Sequence, residues 1–391
     1  MNISINNLNT DNILDLSYLK TYSIDDKDTS EIDDAISLEN INNRKYIWIH
    51  ISSPPLILGY KLSDFKKSRE LSSTQYLSNG NKTIFNEDII RVKLSINPNK
   101  RILTLSVRVH IDLDGECDDI LITYAYIKSN YKLTYEDADE LIDLAPNEEI
   151  DLFILYKKIL LRANYRLNNG AIRFEMPQGR FKLIDNNVHL KIYERTKSRI
   201  LVEESMILIS EIIGTFFKNS NISVPFRCND TKPIYNNNFN EKDNIILRNN
   251  LSRSYYSISP FYHNIIGKSF YVHCTSPIRR FIDILVHLQL FNIIYKKELI
   301  SIDTLNSEIK YFEYTNNLNK EITLNDQSYL FSRYINQDHY YKCFFVKWIN
   351  FNKSYALIYI YDFFIQKVIC LYKQHDLNPK DEILVKFIKR N

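Results

Sequence analysis

From Lys45 to Ser52 the chain alternates with a period of two, with Ile47, Ile49 and Ile51 set against Tyr46, Trp48 and His50. That spacing predicts a strand with one face turned to a core. Pro54 and Pro55 end it, and Asn40 to Arg44 is a hairpin-sized link back to a second apolar run, Ala35 to Glu39. A further strand is expected at Tyr22 to Ile24. Two more, Ile89 to Leu94 and Arg101 to Asp112, flank the turn Asn97-Pro98-Asn99. Residues 1–19 form a short polar lead-in, and Lys61 to Glu87 is polar and loop-rich with room for one short helix.

From Thr134 the period changes. Thr134, with Glu136 and Asp137 behind it, suits a helix start. Leu152, Leu155, Tyr156, Ile159, Leu160 and Ala163 mark an amphipathic helix. Short strands are expected at Ala171 to Phe174 and Phe181 to Leu183. Ser198 to Phe217 and Ile278 to Tyr295 predict two strongly apolar helices, the second central because it is apolar on more than one face. Asn306 to Asn336 is the last helix and a linker. Beyond it, Cys343 to Ile349, Tyr355 to Tyr361, Gln366 to Tyr372 and Glu382 to Ile388 alternate again, which suits a small barrel. Lys380, Lys386, Lys389 and Arg390 place positive charge on it. The tail is either a surface for a phosphate backbone or an accessory sheet that caps the main domain.

Composition narrows the chemistry. Seven glycines in 391 residues, and no glycine-rich phosphate motif, argue against a dinucleotide fold or a P-loop. Fifty basic and 47 acidic residues leave a net charge of +3, so any nucleic-acid surface must come from local asymmetry. The five scattered cysteines signal neither a disulfide framework nor a zinc site. No run reaches the roughly 18 apolar residues of a membrane span, and no basic-then-apolar leader opens the chain. The expectation is a soluble protein of a reducing compartment, made where it works. Abundant Asn, Ile, Lys and Tyr reflect an A/T-rich genome, which suits a plastid-encoded protein or a bacterial cytoplasm.

Two constellations carry chemistry. In the first, Asp25 ends an apolar approach, a polar turn follows, and Glu31, Asp33 and Asp34 lead into the strand at Ala35. Carboxylates at the lip of a buried strand either hold a hard divalent cation or form a solvated acidic loop. Asp33 and Asp34 are adjacent and point opposite ways on an extended strand, so a turn or bulge is needed if both bind one metal. The second constellation is Tyr271 to His287. Thr275 or Ser276 can cap a helix with Pro277 at its first position. That puts Arg279 and Arg280 in the first turn, as a phosphate clamp or as an internal Arg–Asp pair with Asp283. Acids for a metal plus a phosphate clamp imply phosphoryl transfer to water.

Both constellations resemble the ribonuclease II / ribonuclease R family. The first matches as Ile24-Asp25, Glu31 and Asp33-Asp34-Ala35. The second matches as Tyr271, His273, Thr275-Ser276-Pro277-Ile278-Arg279-Arg280, Phe281, Asp283 and His287. Lesser echoes fall at Ile49-His50-Ile51, Gln75-Tyr76-Leu77, Leu201 to Met206, Arg227 before Pro233, and His263. The resemblance covers about residues 20–330. It implies an α+β fold: a catalytic domain (20–335) of mixed antiparallel sheet and helices, followed by a reduced all-β, OB-type RNA-binding tail (340–391). The implied activity is a magnesium-dependent 3′-to-5′ exoribonuclease, using two ions, that turns single-stranded RNA into 5′-nucleoside monophosphates. Asp25, Glu31, Asp33 and Asp34 correspond to the metal-binding acids, with Asp33 indispensable. Arg279 corresponds to the residue on the scissile phosphate, with Arg280 nearby, and Thr275, Ser276 and Tyr271 lie in the same RNA-facing motif. Tyr135 and one of Glu203 and Glu204 would clamp the terminal nucleotide, and Tyr76 would stack further up.

The chain departs from the family pattern in places. Glu31 stands for an Asp, Ser53 for an acid, Ser210 for an Asn, Asn229 for a His and Leu288 for an Arg. With about 20 residues ahead of the core, the family's N-terminal cold-shock domains are expected to be absent, with weaker and more salt-sensitive RNA binding. The alternatives are a catalytically weak relative that binds RNA 3′ ends in a decay assembly, and a structural protein whose acidic loop is merely solvated.

Overall fold

The computed structural model describes residues 3–5, 13–231, 239–268, 270–371 and 376–388; Pro233, Tyr372, Lys389 and Arg390 lie outside them. The alternating isoleucines sit in the middle of an eight-stranded sheet. In chain order its strands are β1 (Ile3–Ile5), β2 (Leu14–Asp15), β3 (Thr21–Ile24), β4 (Asp34–Ile41), β5 (Arg44–Ser52), β6 (Arg101–Ile111), β7 (Cys117–Lys128) and β8 (Tyr131–Leu133). In space they run β1-β7-β6-β5-β4-β3-β8, with β2 also on β7. The strands from β3 to β7 pair antiparallel, whereas β1 and β2 lie parallel to β7 and β8 parallel to β3. Asn42 and Asn43, at φ 51° and 63°, supply the left-handed pair that the tight β4–β5 hairpin requires.

The period of two decides which face is which. Ile47, Ile49 and Ile51 join Leu105, Val107 and Val109 under two helices, Ile150–Asn168 and Lys197–Asn219, which bring Leu155, Ile159, Leu208 and Ile212. Full burial of each such side chain contributes about 1.5–3 kcal/mol. Trp48 and Ala35 point the other way, toward Ile32, Ile96 and Ile127. The helix Tyr135–Leu144 starts where expected, with Thr134 and Asp137 capping each other's backbone N–H.

Three expectations need revision, and one strand was missed. Ile89 to Leu94 is helical, not a strand: Asn86 caps Glu87–Ile89, a single wide turn Ile90–Leu94 follows, and Ile90 and Leu94 are buried together. Ala171 to Phe174 is irregular, held by the bond from Ile172 N to Ile265 O. The longest strand of the sheet, β7, was not anticipated. The predicted Ile278–Tyr295 helix begins only at Phe281 and ends at Ile294. Residues 277–279 form a turn, because the Asp283 carboxylate accepts from both Ser276 N and the Arg280 guanidinium. Arg279 and Arg280 therefore precede the helix, and its first amide is taken, Phe281 N donating to Ser72 O at 2.8 Å.

The C-terminal half carries smaller sheets: the hairpin β9 (Gln178–Ile184) and β10 (Asn187–Tyr193), the pair β11 (Phe226–Cys228) and β12 (Tyr255–Ser257), and a four-stranded tail sheet. The tail strands are β13 (Tyr341–Trp348), β14 (Tyr355–Ile360), β15 (Ile365–Cys370) and β16 (Glu382–Val385), in the order β15-β14-β13-β16. Phe181 from β9 and Leu330 and Phe331 from the 33-residue helix Ile302–Tyr334 share a core with Tyr341, Phe345 and Ile358. The fold is α+β, with the all-β tail docked on the hairpin and the long helix.

Candidate active site

Three segments converge at the end of the sheet where β3 stops and β4 begins. Asp25 follows β3 directly, its N–H bonded to Leu133 O of β8 at 3.1 Å. The chain then turns, Thr29 N donating to Asp26 O, and returns through Glu31, Ile32 and Asp33 in an extended run. Alternation sends Ile32 into the core and leaves Glu31 and Asp33 on the other side. Asp34 opens β4 opposite Ile51.

Arg279 is the electrostatic centre of these acids: its charge lowers the pKa of Asp25, Glu31, Asp33 and Asp34 alike. Its Nε donates to Asp33 Oδ2 at 2.9 Å, while Ile278 N donates to Asp33 Oδ1 at 2.8 Å. Asp33 is 1% exposed, whereas 45% of the Arg279 side chain is open to the cavity beside it. Burial still wins at Asp33 and pushes its carboxyl up to about 7. Against the cost of burial, Asp33 keeps Arg279 firmly protonated.

The other acids divide by partner. Glu31, 4% exposed, accepts from Thr74 Oγ1 at 2.8 Å and from the Tyr76 hydroxyl at 2.6 Å, so both its oxygens are engaged. Burial nonetheless raises its pKa. Among the described residues, Asp25 and Asp34 have no hydrogen-bond or ion-pair partner for their side chains. Burial lifts Asp25 to about 6, and burial followed by repulsion from Asp25 and Asp33 lifts Asp34 well above the carboxylate range. Two unpaired, half-buried carboxylates that repel each other suit a hard cation, because magnesium takes one or two carboxylates and completes its shell with water and substrate oxygens. Among the described residues no three His, Cys, Asp or Glu side chains are grouped as a ready-made metal cluster. The acids that sequence grouped as one ligand set are thus divided: Asp25 and Asp34 free, Asp33 on Arg279, Glu31 on Tyr76.

The loop carrying Thr74 and Tyr76 is pinned from two sides. Thr74 N donates to Arg279 O at 2.9 Å, and Asp326 of the long helix accepts from Ser78 N at 3.2 Å. A cavity of about 430 Å³ results, lined by Asp25, Glu31, Tyr76, Tyr135 and Arg279 together with Asp326 and Arg180. Tyr135 lies under the Arg199 guanidinium, 3.8 Å from ring centre to charge.

The remaining candidates are placed differently. Arg280 forks onto Asp283 at 2.6 and 2.8 Å, the internal pair weighed above. Thr275 and Ser276 are buried, as is Tyr271, packed edge-on against His263 and His273. Glu204 is 1% exposed and gripped at both oxygens by Arg166, whereas Glu203 faces a neighbouring cleft. The departures from the family pattern are absorbed by packing. Ser53 donates to His287 Nδ1, whose Nε2–H goes to Cys274 O; Asn229 accepts from Thr231 N; Ser210 lies against the Cys274 thiol; Leu288 is core. Sequence reasoning missed Thr74 and Arg199. It also gave no role to Asp26, which holds Lys191 and Arg199 at 3.1 Å each.

A model of the RNB domain matches residues 13–242 and 231–296. The chain belongs to the RNB domain family. It is 34% identical over 284 residues to an uncharacterized ribonuclease of Synechocystis, covering 71% of this chain and 43% of that one. It is 28% identical over 290 residues to the chloroplastic/mitochondrial ribonuclease II of Arabidopsis thaliana, covering 71% and 36%. The chain thus spans less than half the length of either relative. In fold it is similar to Mycoplasma genitalium RNase R, solved in complex with ribose-methylated single-stranded RNA, at a TM-score of 0.83, 17% identity, and coverage of 96% of this chain and 69% of that one. This RNB chain therefore places its Asp33–Arg279 pair on the family's fold. Among the described residues no helix is long and apolar enough to cross a membrane.

Proposed function

We propose that this RNB chain degrades single-stranded RNA from its 3′ end with magnesium, releasing 5′-nucleoside monophosphates. The observation that carries the reading is Arg279, held by Asp33 at the floor of a cavity with two unpaired carboxylates beside it. A guanidinium fixed at one nitrogen and open at its other end is aimed to receive a phosphate. Asp25 and Asp34 would hold magnesium, one ion or a pair, which supplies charge neutralisation at the phosphate and activation of water. Asp33 orients Arg279, and its own burial keeps that orientation dry and fixed. Tyr135 and Glu203 border the space where the last nucleotide would lie, and Tyr76 offers a ring to a base further out. We assign residues 20–335 to catalysis and the tail from 340 to RNA gripping, and the chain to a plastid or a bacterial cytoplasm, in keeping with its relatives.

The test follows one RNA carrying a label at either end. With magnesium, the 3′-labelled strand should yield labelled monophosphate at once, while the 5′-labelled strand shortens stepwise. Internal cuts, or labelled fragments longer than one nucleotide from the 3′ end, would refute an exonuclease. Binding without release in either arm would identify the chain as an RNA 3′-end-binding relative.

A further inference from the structure

The first turns of two helices meet at Tyr135. Ser198, the second residue of the helix Lys197–Asn219, donates its hydroxyl to Tyr135 O at 2.9 Å, and its N–H goes to Asp139 Oδ1 at 2.7 Å. The backbone that carries Tyr135 is fixed in this way. The next residue, Arg199, lies over the Tyr135 ring at 3.8 Å from charge to ring centre, and 5.1 Å from the ring of Tyr193. A guanidinium so close to an aromatic face is attracted by the ring's quadrupole, and its flat shape suits stacking there.

Arg199 is itself held. Asp26 Oδ1 accepts from Arg199 Nη2 at 3.1 Å and from Lys191 Nζ of β10 at the same distance. The Asp26 and Arg199 side chains are each 23% exposed, so solvent and salt screen the pair only in part. Asp28 meets Lys182 of β9 at 3.5 Å, but that carboxylate is exposed and the contact is weak. One oxygen of Asp26 therefore serves two structures. Through Lys191 it ties the acidic turn to the hairpin, and through Arg199 it reaches the Tyr135 ring.

We propose that Asp26 and Arg199 are positioning residues for RNA hydrolysis. Asp26 fixes the Arg199 guanidinium, and Arg199 fixes the orientation of the Tyr135 ring in the wall of the acidic cavity. Both act through Tyr135 and neither touches the RNA. The inference rests on the nuclease reading for the place of Tyr135 beside the substrate.

Affinity of the full chain for single-stranded RNA, measured in EDTA by fluorescence anisotropy, tests this series of contacts without catalysis. Asp26→Asn and Arg199→Gln should each weaken binding by about tenfold, the effect of losing one such contact, and Tyr135→Ala by at least as much. Because the three act in series, adding Asp26→Asn or Arg199→Gln to Tyr135→Ala should cost nothing further. Lys191→Gln separates positioning from a merely structural clasp. It unties β10 but leaves Arg199 on Asp26, so affinity should change by less than about twofold.

A loss in Lys191→Gln equal to that in Asp26→Asn would overturn the proposal, as would losses that add in the double variants. Undiminished binding in Asp26→Asn and Arg199→Gln, or no RNA binding by the wild type, would overturn it as well. Monophosphate release with magnesium judges the nuclease reading separately. Release accompanied by additive losses keeps that reading and sinks the positioning series; non-additive losses in a protein that never releases monophosphate do the reverse.

Discussion

Arg279 and Asp33 are joined through Nε and Oδ2 at 2.9 Å, and the same carboxylate takes the backbone N–H of Ile278 through its other oxygen. The carboxylate thus fixes both the arginine side chain and the turn that carries it. Arg279→Lys keeps a charge but cannot span Asp33 and a phosphate together. It should lower kcat by about 100-fold, within the range for loss of one positioned donor, with RNA affinity changed far less. Single-turnover rates and filter binding measure the two separately.

Glu31 was expected on the metal, and the structure gives both its oxygens to Thr74 and Tyr76. Glu31→Gln should therefore leave the magnesium dependence of the rate unchanged while raising KM for RNA, because Tyr76 loses its anchor. Tyr76→Phe should raise KM similarly, and the double variant should be no worse than either single one. A shifted magnesium midpoint in Glu31→Gln would return that residue to the metal.

Asp25 gives a pH-dependent signature. Its folded-state pKa, about 6, lies above the ordinary 3.8, so the folded protein binds the proton more tightly than the unfolded chain. Its cost to stability is absent below pH 3.8, grows between pH 3.8 and 6, and is complete above. In EDTA, Asp25→Asn should stabilise the fold at pH 8 by on the order of 1 kcal/mol after screening, read as a higher melting temperature, and have little effect at pH 4. With saturating magnesium the gain should vanish or reverse. Melting curves at two pH values, with and without the cation, check this.

Gly179 lies where the tail meets β9, and a Cβ there would fall 1.8 Å from Phe363 O. Gly179→Ala should loosen the tail from the hairpin, seen as faster proteolysis within residues 340–391 and as weaker RNA binding with a shallower salt dependence. Unchanged proteolysis would show that the joint can yield.

Much of this was legible in the chain because local signals agreed with the final packing. The isoleucines of β5 had a clean period of two, Thr134 and Asp137 carried a complete cap, and the two long motifs contained Asp33 and Arg279. The misses have physical causes. Ile89 to Leu94 alternates like a strand, but the Asn86 cap and the burial of Ile90 with Leu94 favour a helical turn. Ser276-Pro277 looked like a helix start until Asp283, seven residues on, reached back to Ser276 N. β7 had a readable signal, Ile120, Ile122 and Tyr124 after a turn whose Gly115 sits at φ 84°. The partners of Glu31, 43 and 45 residues away, exist only through tertiary contact.

The account turns on one measurement: single-turnover release of 5′-nucleoside monophosphate from single-stranded RNA with magnesium, by the wild type and by Asp33→Asn, with RNA affinity measured on the same samples. The predicted result is rapid release by the wild type and a loss of about 100-fold or more in the variant, with affinity nearly retained. Equal rates in the two proteins, or no release by a wild type that binds RNA, would contradict it.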